Sequence, residues 1–196
     1  TRLHSSVEAA FSQGEGCLWI RTEVSDQVKM TQFINRFEAD GMKFEKPDVR
    51  LAGLDLLVQM QGVATTPLVV KALSDACREY RYGAMRLSEA YADDKTYAAV
   101  AGELAEVADV AKVDILNWLG AQHAASQIAA IAPYVASQND DVASAAIAAA
   151  SKIGGEQALA ALITRMTKGE ENEVVDAALI KGFLSFNGSI NDEFAR

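Results

Sequence analysis

Five segments of this chain open on an acidic residue followed by Val or Tyr: Asp48-Val49, Glu79-Tyr80, Glu106-Val107, Asp141-Val142 and Glu173-Val174. By subtraction the intervals are 31, 27, 35 and 32 residues. Four residues beyond each Val or Tyr stands a small side chain: Gly53, Ala84, Ala111, Ala146 and Ala178. Self-similarity at this period points to one supersecondary unit repeated in tandem. Each unit reads as a helix, a tight turn and a second helix. The acid caps the first helix and suits its positive end, the small residue lets a neighbour approach closely, and a trailing glycine (Gly62, Gly120, Gly154-Gly155) supplies a left-handed turn. A single such pair cannot bury its apolar face alone, so pairs must stack.

The remaining punctuation agrees with helix after helix from Pro47 onward. Asp48 starts a helix that Gly62 follows, Thr66-Pro67 starts the next, and Asp93-Asp94 caps another. Pro67 suits the first helical position, where its missing N–H costs nothing. Gly169 and Gly188 mark later ends. Pro133 falls inside the apolar pattern Ile128, Ile131, Tyr134, Val135 and predicts a kink or a break, because it removes a hydrogen bond and clashes with the Ala129 carbonyl. The 13 alanines between Ala121 and Ala150 predict close helix contacts and little room for an internal ligand. Residues 1–47 read differently, as a less regular cap. Cys17-Leu18-Trp19-Ile20 fits a strand or a short buried helix. Met30, Phe33, Ile34 and Phe37 lie at helical spacing and predict a helix from Asp26 to Ala39, with Ser25 as its cap and Gly41 as its stop.

The segment Asp141-Val142-Ala143-Ser144-Ala145-Ala146-Ile147-Ala148-Ala149-Ala150-Ser151-Lys152-Ile153-Gly154-Gly155-Glu156-Gln157-Ala158-Leu159 resembles a HEAT repeat of the short, phycobilisome-lyase-like type. Asp48-Val49-Arg50-Leu51-Ala52-Gly53-Leu54 is a second match, with Arg50 at the usual basic position, and Glu79-Tyr80-Arg81 keeps that Arg. Lys112 replaces an apolar residue in the middle unit. The resemblance implies an all-α superhelix of about four to five HEAT-like hairpins over residues 48–188, with a cap over 1–47 and a tail over 189–196. It also implies a non-catalytic scaffold that binds another protein, or another domain of the same polypeptide. The alternative is an accessory repeat module of a larger enzyme, for instance a secreted bacterial carbohydrate-active or redox enzyme.

Composition narrows the function. With 18 Lys+Arg against 27 Asp+Glu the net charge is -9, which argues against nucleic acid, since affinity for phosphates rests on Lys and Arg. No apolar run is long enough to span a bilayer. The two cysteines, Cys17 and Cys77, are too few for a disulfide scaffold, and whether they pair is open. His4 and His123 are the only histidines, so no His-based metal site is expected, and the repeated His-Glu pairs of iron-binding HEAT-like hydroxylases are missing. No cofactor and no catalytic residue is expected. Asp114 and Trp118, four apart on one helical face, raise the comparison with HEAT-like DNA glycosylases. Residues 107–196 carry 6 basic and 11 acidic side chains, so the expectation is that Trp118 packs between helices and Asp114 faces water. The densest basic–aromatic cluster places Arg78, Tyr82 and Arg86 four apart on one stripe. Tyr and Arg are enriched at interface hot spots, which makes these three the candidate partner-binding residues.

Overall fold

The computed structural model describes residues 17–24, 27–34, 38–39, 42–43 and 47–188 except 170, with side chains described from residue 47 onward. Packing divides the chain into two compact units, residues 1–62 and 63–196. His4, Ser25, Gly41 and the tail 189–196 lie outside the described residues.

In the first unit, strand β1 (Cys17–Val24) pairs antiparallel with β2 (Gln27–Ile34), in a register running from Cys17 opposite Ile34 to Val24 opposite Gln27. A second, two-residue pair joins β3 (Glu38–Ala39) to β4 (Met42–Lys43). Helix α1 (Pro47–Gln61) follows and ends at Gly62, whose φ of 55° is the left-handed stop expected there. Where its residues are described, the helix expected from Asp26 to Ala39 is extended chain instead, β2 over Gln27–Ile34 and β3 at Glu38–Ala39. Its apolar residues fit a helical stripe, but the same stretch alternates in Gln27-Val28-Lys29-Met30-Thr31. A partner strand reached across the sequence decides between two such local patterns.

From residue 47 onward every described element is helical, as the all-α reading requires. The second unit holds α2 (Thr66–Ala72), α3 (Arg78–Ser88), α4 (Asp94–Gly102), α5 (Asp109–Ala121), α6 (Ile128–Ile131), α7 (Asp140–Ile153), α8 (Glu156–Lys168) and α9 (Glu173–Leu184). Pro133 breaks its helix: α6 is one turn long and gives way at Ala132 to a tighter 3₁₀ segment, Ala132–Ala136.

Alternate helices pack on each other in chain order, α3 on α5, α5 on α7 and α7 on α9. The helices between them do the same, α2 with α4, α4 with α6 and α6 with α8. Helices α1, α3, α5, α7 and α9 begin at Pro47, Arg78, Asp109, Asp140 and Glu173, so their starts are 31, 31, 31 and 33 residues apart by subtraction. That spacing is more even than the acid–Val/Tyr pattern. The difference lies at α5, where the acid in the first turn is Asp109 rather than Glu106.

The caps also differ from expectation. At α7 and α9 the capping oxygen belongs to an asparagine before the acid. Asn139 Oδ1 accepts from the N–H groups of Asp141 and Val142, and Asn172 Oδ1 from those of Val174 and Val175. Asp93 caps α4 as expected, accepting from the Thr96 N–H at 2.9 Å. Gly120 is not a stop. It sits inside α5, where a Cβ would lie 2.6 Å from the Ala149 backbone of α7, so glycine here permits helix contact. The left-handed residue after α5 is His123, with φ 50°.

The core of this unit is one cluster drawn from all its longer helices. It includes Leu73, Met85, Val100, Ile115, Leu119, Ile131, Ile147, Leu162 and Val175. Burial of this kind contributes about 25 cal/mol per Å² of apolar surface, and it is what holds short alanine-rich helices in place.

Candidate functional site

Helix α3 divides its side chains into two faces. Tyr80, Arg81, Ala84, Met85 and Ser88 are buried, while Arg78, Tyr82 and Arg86 are exposed together on the outer face. The structure therefore brings the three candidate partner-binding residues onto one surface. Their freedom differs. Arg78 Nε donates to Asp114 Oδ1 at 3.0 Å although its side chain is 74% exposed. No ion pair or side-chain hydrogen bond engages Tyr82 or Arg86 among the described residues.

Behind this face lies a buried charge cluster. Asp114 is 2% exposed, and the expectation that it faces water is incorrect. Its second oxygen, Oδ2, accepts from Arg81 Nη2 at 2.8 Å. Arg81, 4% exposed, also donates through Nη1 to the carbonyls of Asp75 and Ala76, at 2.8 and 3.2 Å. Its Nε is buried without a hydrogen-bond partner. Asp114 thus ties α3 and the turn before it to α5. The amino-acid pattern marks Arg81 as the basic position of a repeat, but not as the buried partner of Asp114, although a signal for that was present. Positions 81, 84, 85 and 88 form the buried stripe of α3, and positions 111, 114, 115 and 118 that of α5. Opposite charges at core positions of two helices need each other, because an isolated buried charge is costly.

Trp118 is buried as expected, one turn along from Asp114. Its Nε1 donates to Glu89 Oε1 at 3.1 Å, and its ring meets Tyr97 edge-on with centroids 5.7 Å apart. Burial pushes the Tyr97 hydroxyl above its usual range, with Asp94, Asp93 and Glu89 adding in the same direction. The acid-beside-tryptophan arrangement that could grip a base is not presented to a ligand, since both Asp114 oxygens are taken and both side chains are buried.

The other chemistry-bearing residues sit apart. His123 is exposed, and its Nδ1 lies 2.7 Å from the Lys152 carbonyl, which accepts; it follows a helix rather than starting one. Cys77 is a free thiol whose Sγ lies 3.2 Å from Glu79 Oε2. Among the described residues no three His, Cys, Asp or Glu side chains converge as a metal site would require. No helix there is long and apolar enough to cross a membrane. One open groove of about 400 Å³ runs between the 3₁₀ segment and α8, floored by Ala132, Val135, Ala160 and Ala161 and rimmed by Arg165 and Lys168.

Comparison of the chain with family models, curated proteins and solved structures finds no match.

Proposed function

We propose that this chain is a non-catalytic interaction scaffold built of HEAT-like helical hairpins, and that it binds a protein partner, or another domain of its own polypeptide, through the outer face of α3. The observation that carries the repeat reading is the order of packing: α3, α5, α7 and α9 each lie against the next, with starts about one period apart. Nearest-neighbour packing of this kind is the defining property of stacked repeats. Two hydrogen-bonded rungs support it. Asn139 Nδ2 donates to Asp109 Oδ2 at 3.1 Å, and Asn172 Nδ2 donates to Asp140 Oδ1 at 2.8 Å. Each capping asparagine thus ties its own helix to the first residue of the previous one. On this reading the fold supplies a rigid, extended surface, and recognition is by shape and by the amphipathic Arg78–Tyr82–Arg86 stripe.

The test uses the immobilised full chain and two variants. Tyr82→Ala/Arg86→Ala leaves the Arg78–Asp114 contact in place, and the triple variant adds Arg78→Ala. A partner retained by the parent chain and lost by both variants, with unchanged thermal melting, supports the reading. Equal retention by all three removes the proposed surface. Steady substrate turnover that depends on residues of this chain overturns the non-catalytic role.

A further inference from the structure

The groove between α8 and the 3₁₀ segment Ala132–Ala136 differs in charge from the chain as a whole. The net charge is -9, yet residues 125–138 carry no Asp, Glu, Lys or Arg, and residues 157–169 carry only Arg165 and Lys168. Both cations line the groove, and no acidic side chain does so among the described residues. Their place in the last turn of α8 suits the helix dipole. No ion pair or side-chain hydrogen bond engages either of them among the described residues, so both charges stay open to an outside partner. The middle of the groove is apolar. Its floor is Ala132, Val135, Ala160 and Ala161, and Thr164 spends its hydroxyl proton on the Ala160 carbonyl at 2.7 Å. The break at Pro133 keeps the space open, because a 3₁₀ turn is tighter than an α-helix and its alanines are short.

We propose that this groove binds a peptide segment of a partner protein, apolar along its body and carrying an Asp or Glu carboxylate at one end. The apolar side chains of the segment lie on the alanine floor, and the carboxylate meets Arg165 and Lys168. Two neighbouring cations without counter-ions favour an anion and reject a basic segment. Arg165 can hold a carboxylate through two parallel N–H donors. Residues 157–168 of α8 span about 16 Å at a rise of 1.5 Å per residue, which matches about five residues of extended peptide. At the far end Gln157 lines the groove and offers an amide to the peptide backbone. The groove is open along its length. A fatty acid lying there would leave much of its chain in water, whereas a protein partner covers the outer side of its own segment. Little area is buried and the charges are at the surface, so binding is weak and salt-sensitive. The inference is independent of the α3 surface.

Panning a random peptide display library on the immobilised full chain tests it, with the Arg165→Glu/Lys168→Glu variant as counter-target. Enriched peptides are expected to combine apolar residues with Asp or Glu. Fluorescence anisotropy of the labelled peptides should show affinity falling at least tenfold on Arg165→Gln/Lys168→Gln. Ala160→Trp fills the floor from an exposed position and removes no charge. It should cost at least as much affinity, with an unchanged melting curve. Lys181→Glu alters a cation that does not line the groove and should leave affinity within about twofold. A library that yields no groove-dependent peptide overturns the proposal, including the case in which laurate binds there and no peptide does. Enriched peptides that are basic or uncharged, or acidic ones indifferent to both the neutral pair and Ala160→Trp, overturn it equally.

Discussion

The junction between α3 and α5 and the junctions among α5, α7 and α9 join the same kind of helix by different chemistry. Between α3 and α5 the link is ionic and directional, Arg81 and Arg78 on Asp114, with Trp118 held to Glu89 nearby. Farther along, the links are Gly120 against Ala149, Gly182 against Ser151 and Ile147, and the two asparagine rungs. Long side chains span a gap and need partners for their charge. Small ones close the gap and let backbones approach, so dispersion and apolar burial hold the pair. An ionic junction tolerates little loss of a partner, because the survivor is left charged in an apolar setting. A close-packed junction tolerates little gain in volume.

That contrast is open to mutation. The largest effect is expected at Asp114. Asp114→Ala leaves Arg81 buried and unpaired, and should destabilise the protein by about 3–5 kcal/mol in urea unfolding. Replacing both partners, Arg81→Met with Asp114→Leu, should recover most of the loss. If Asp114→Ala costs less than about 1 kcal/mol, a typical exposed pair, the junction is not ionic in any energetic sense.

At the close-packed junction the next effect is Gly120→Ala. The added Cβ would sit 2.6 Å from the Ala149 backbone, and overpacking of this sort costs about 1–3 kcal/mol. It should outweigh the gain of about 1 kcal/mol in helix propensity. Gly102→Ala is the control. Gly102 has a helical φ of -60° and nothing within 4 Å of its Cβ position, so this change should stabilise by about 0.5–1 kcal/mol. Thermal melts that move in the same direction for both glycines would show that α5 and α7 do not approach as described.

The smallest effects concern the rungs and their titration. Asn139→Asp keeps an oxygen to cap α7 but removes the donor to Asp109 and sets two carboxylates together. It should lower the melting temperature by a few degrees, as about 1 kcal/mol does in a domain of this size, and salt should relieve the loss. Hydrogen bonds from Lys112 first, then Asn139, hold the Asp109 carboxyl below its ordinary 3.8, and the Thr96 backbone N–H does the same for Asp93. Carboxyls depressed in the folded state stabilise it above their unfolded pKa, and this stability is lost as pH falls through the folded values. The parent chain should therefore lose stability below about pH 4. A shallower acid limb is expected in Asn139→Ala. An identical limb in the two proteins would detach the rung from the titration.

Much of the helical region is legible in the amino-acid sequence alone. Asp93 as a cap, Gly62 and Gly154 as left-handed stops with φ of 55° and 74°, Pro133 as a break, and the Arg78–Tyr82–Arg86 face all stand where expected. These are local matters of capping, φ preference and periodicity. Other readings missed. Helix α5 starts three residues later than the Glu106-Val107 pattern suggests, because a 3₁₀ turn over Glu103–Ala105 intervenes. Gly120 serves a neighbour about thirty residues away in the chain, Ala149, rather than its own turn. Asp114 is turned inward to an arginine on another helix.

What the sequence determined by itself is the set of helices from residue 47 onward and their rough period, since 3.6-residue periodicity and capping act within a few residues. Only the tertiary structure decided which segment becomes a hairpin of strands, which glycine ends a helix and which lets two helices touch, and whether Asp114 meets water or arginine. Those outcomes depend on what lies opposite in space, and a side chain such as glycine or aspartate satisfies either role equally well until its neighbour is in place.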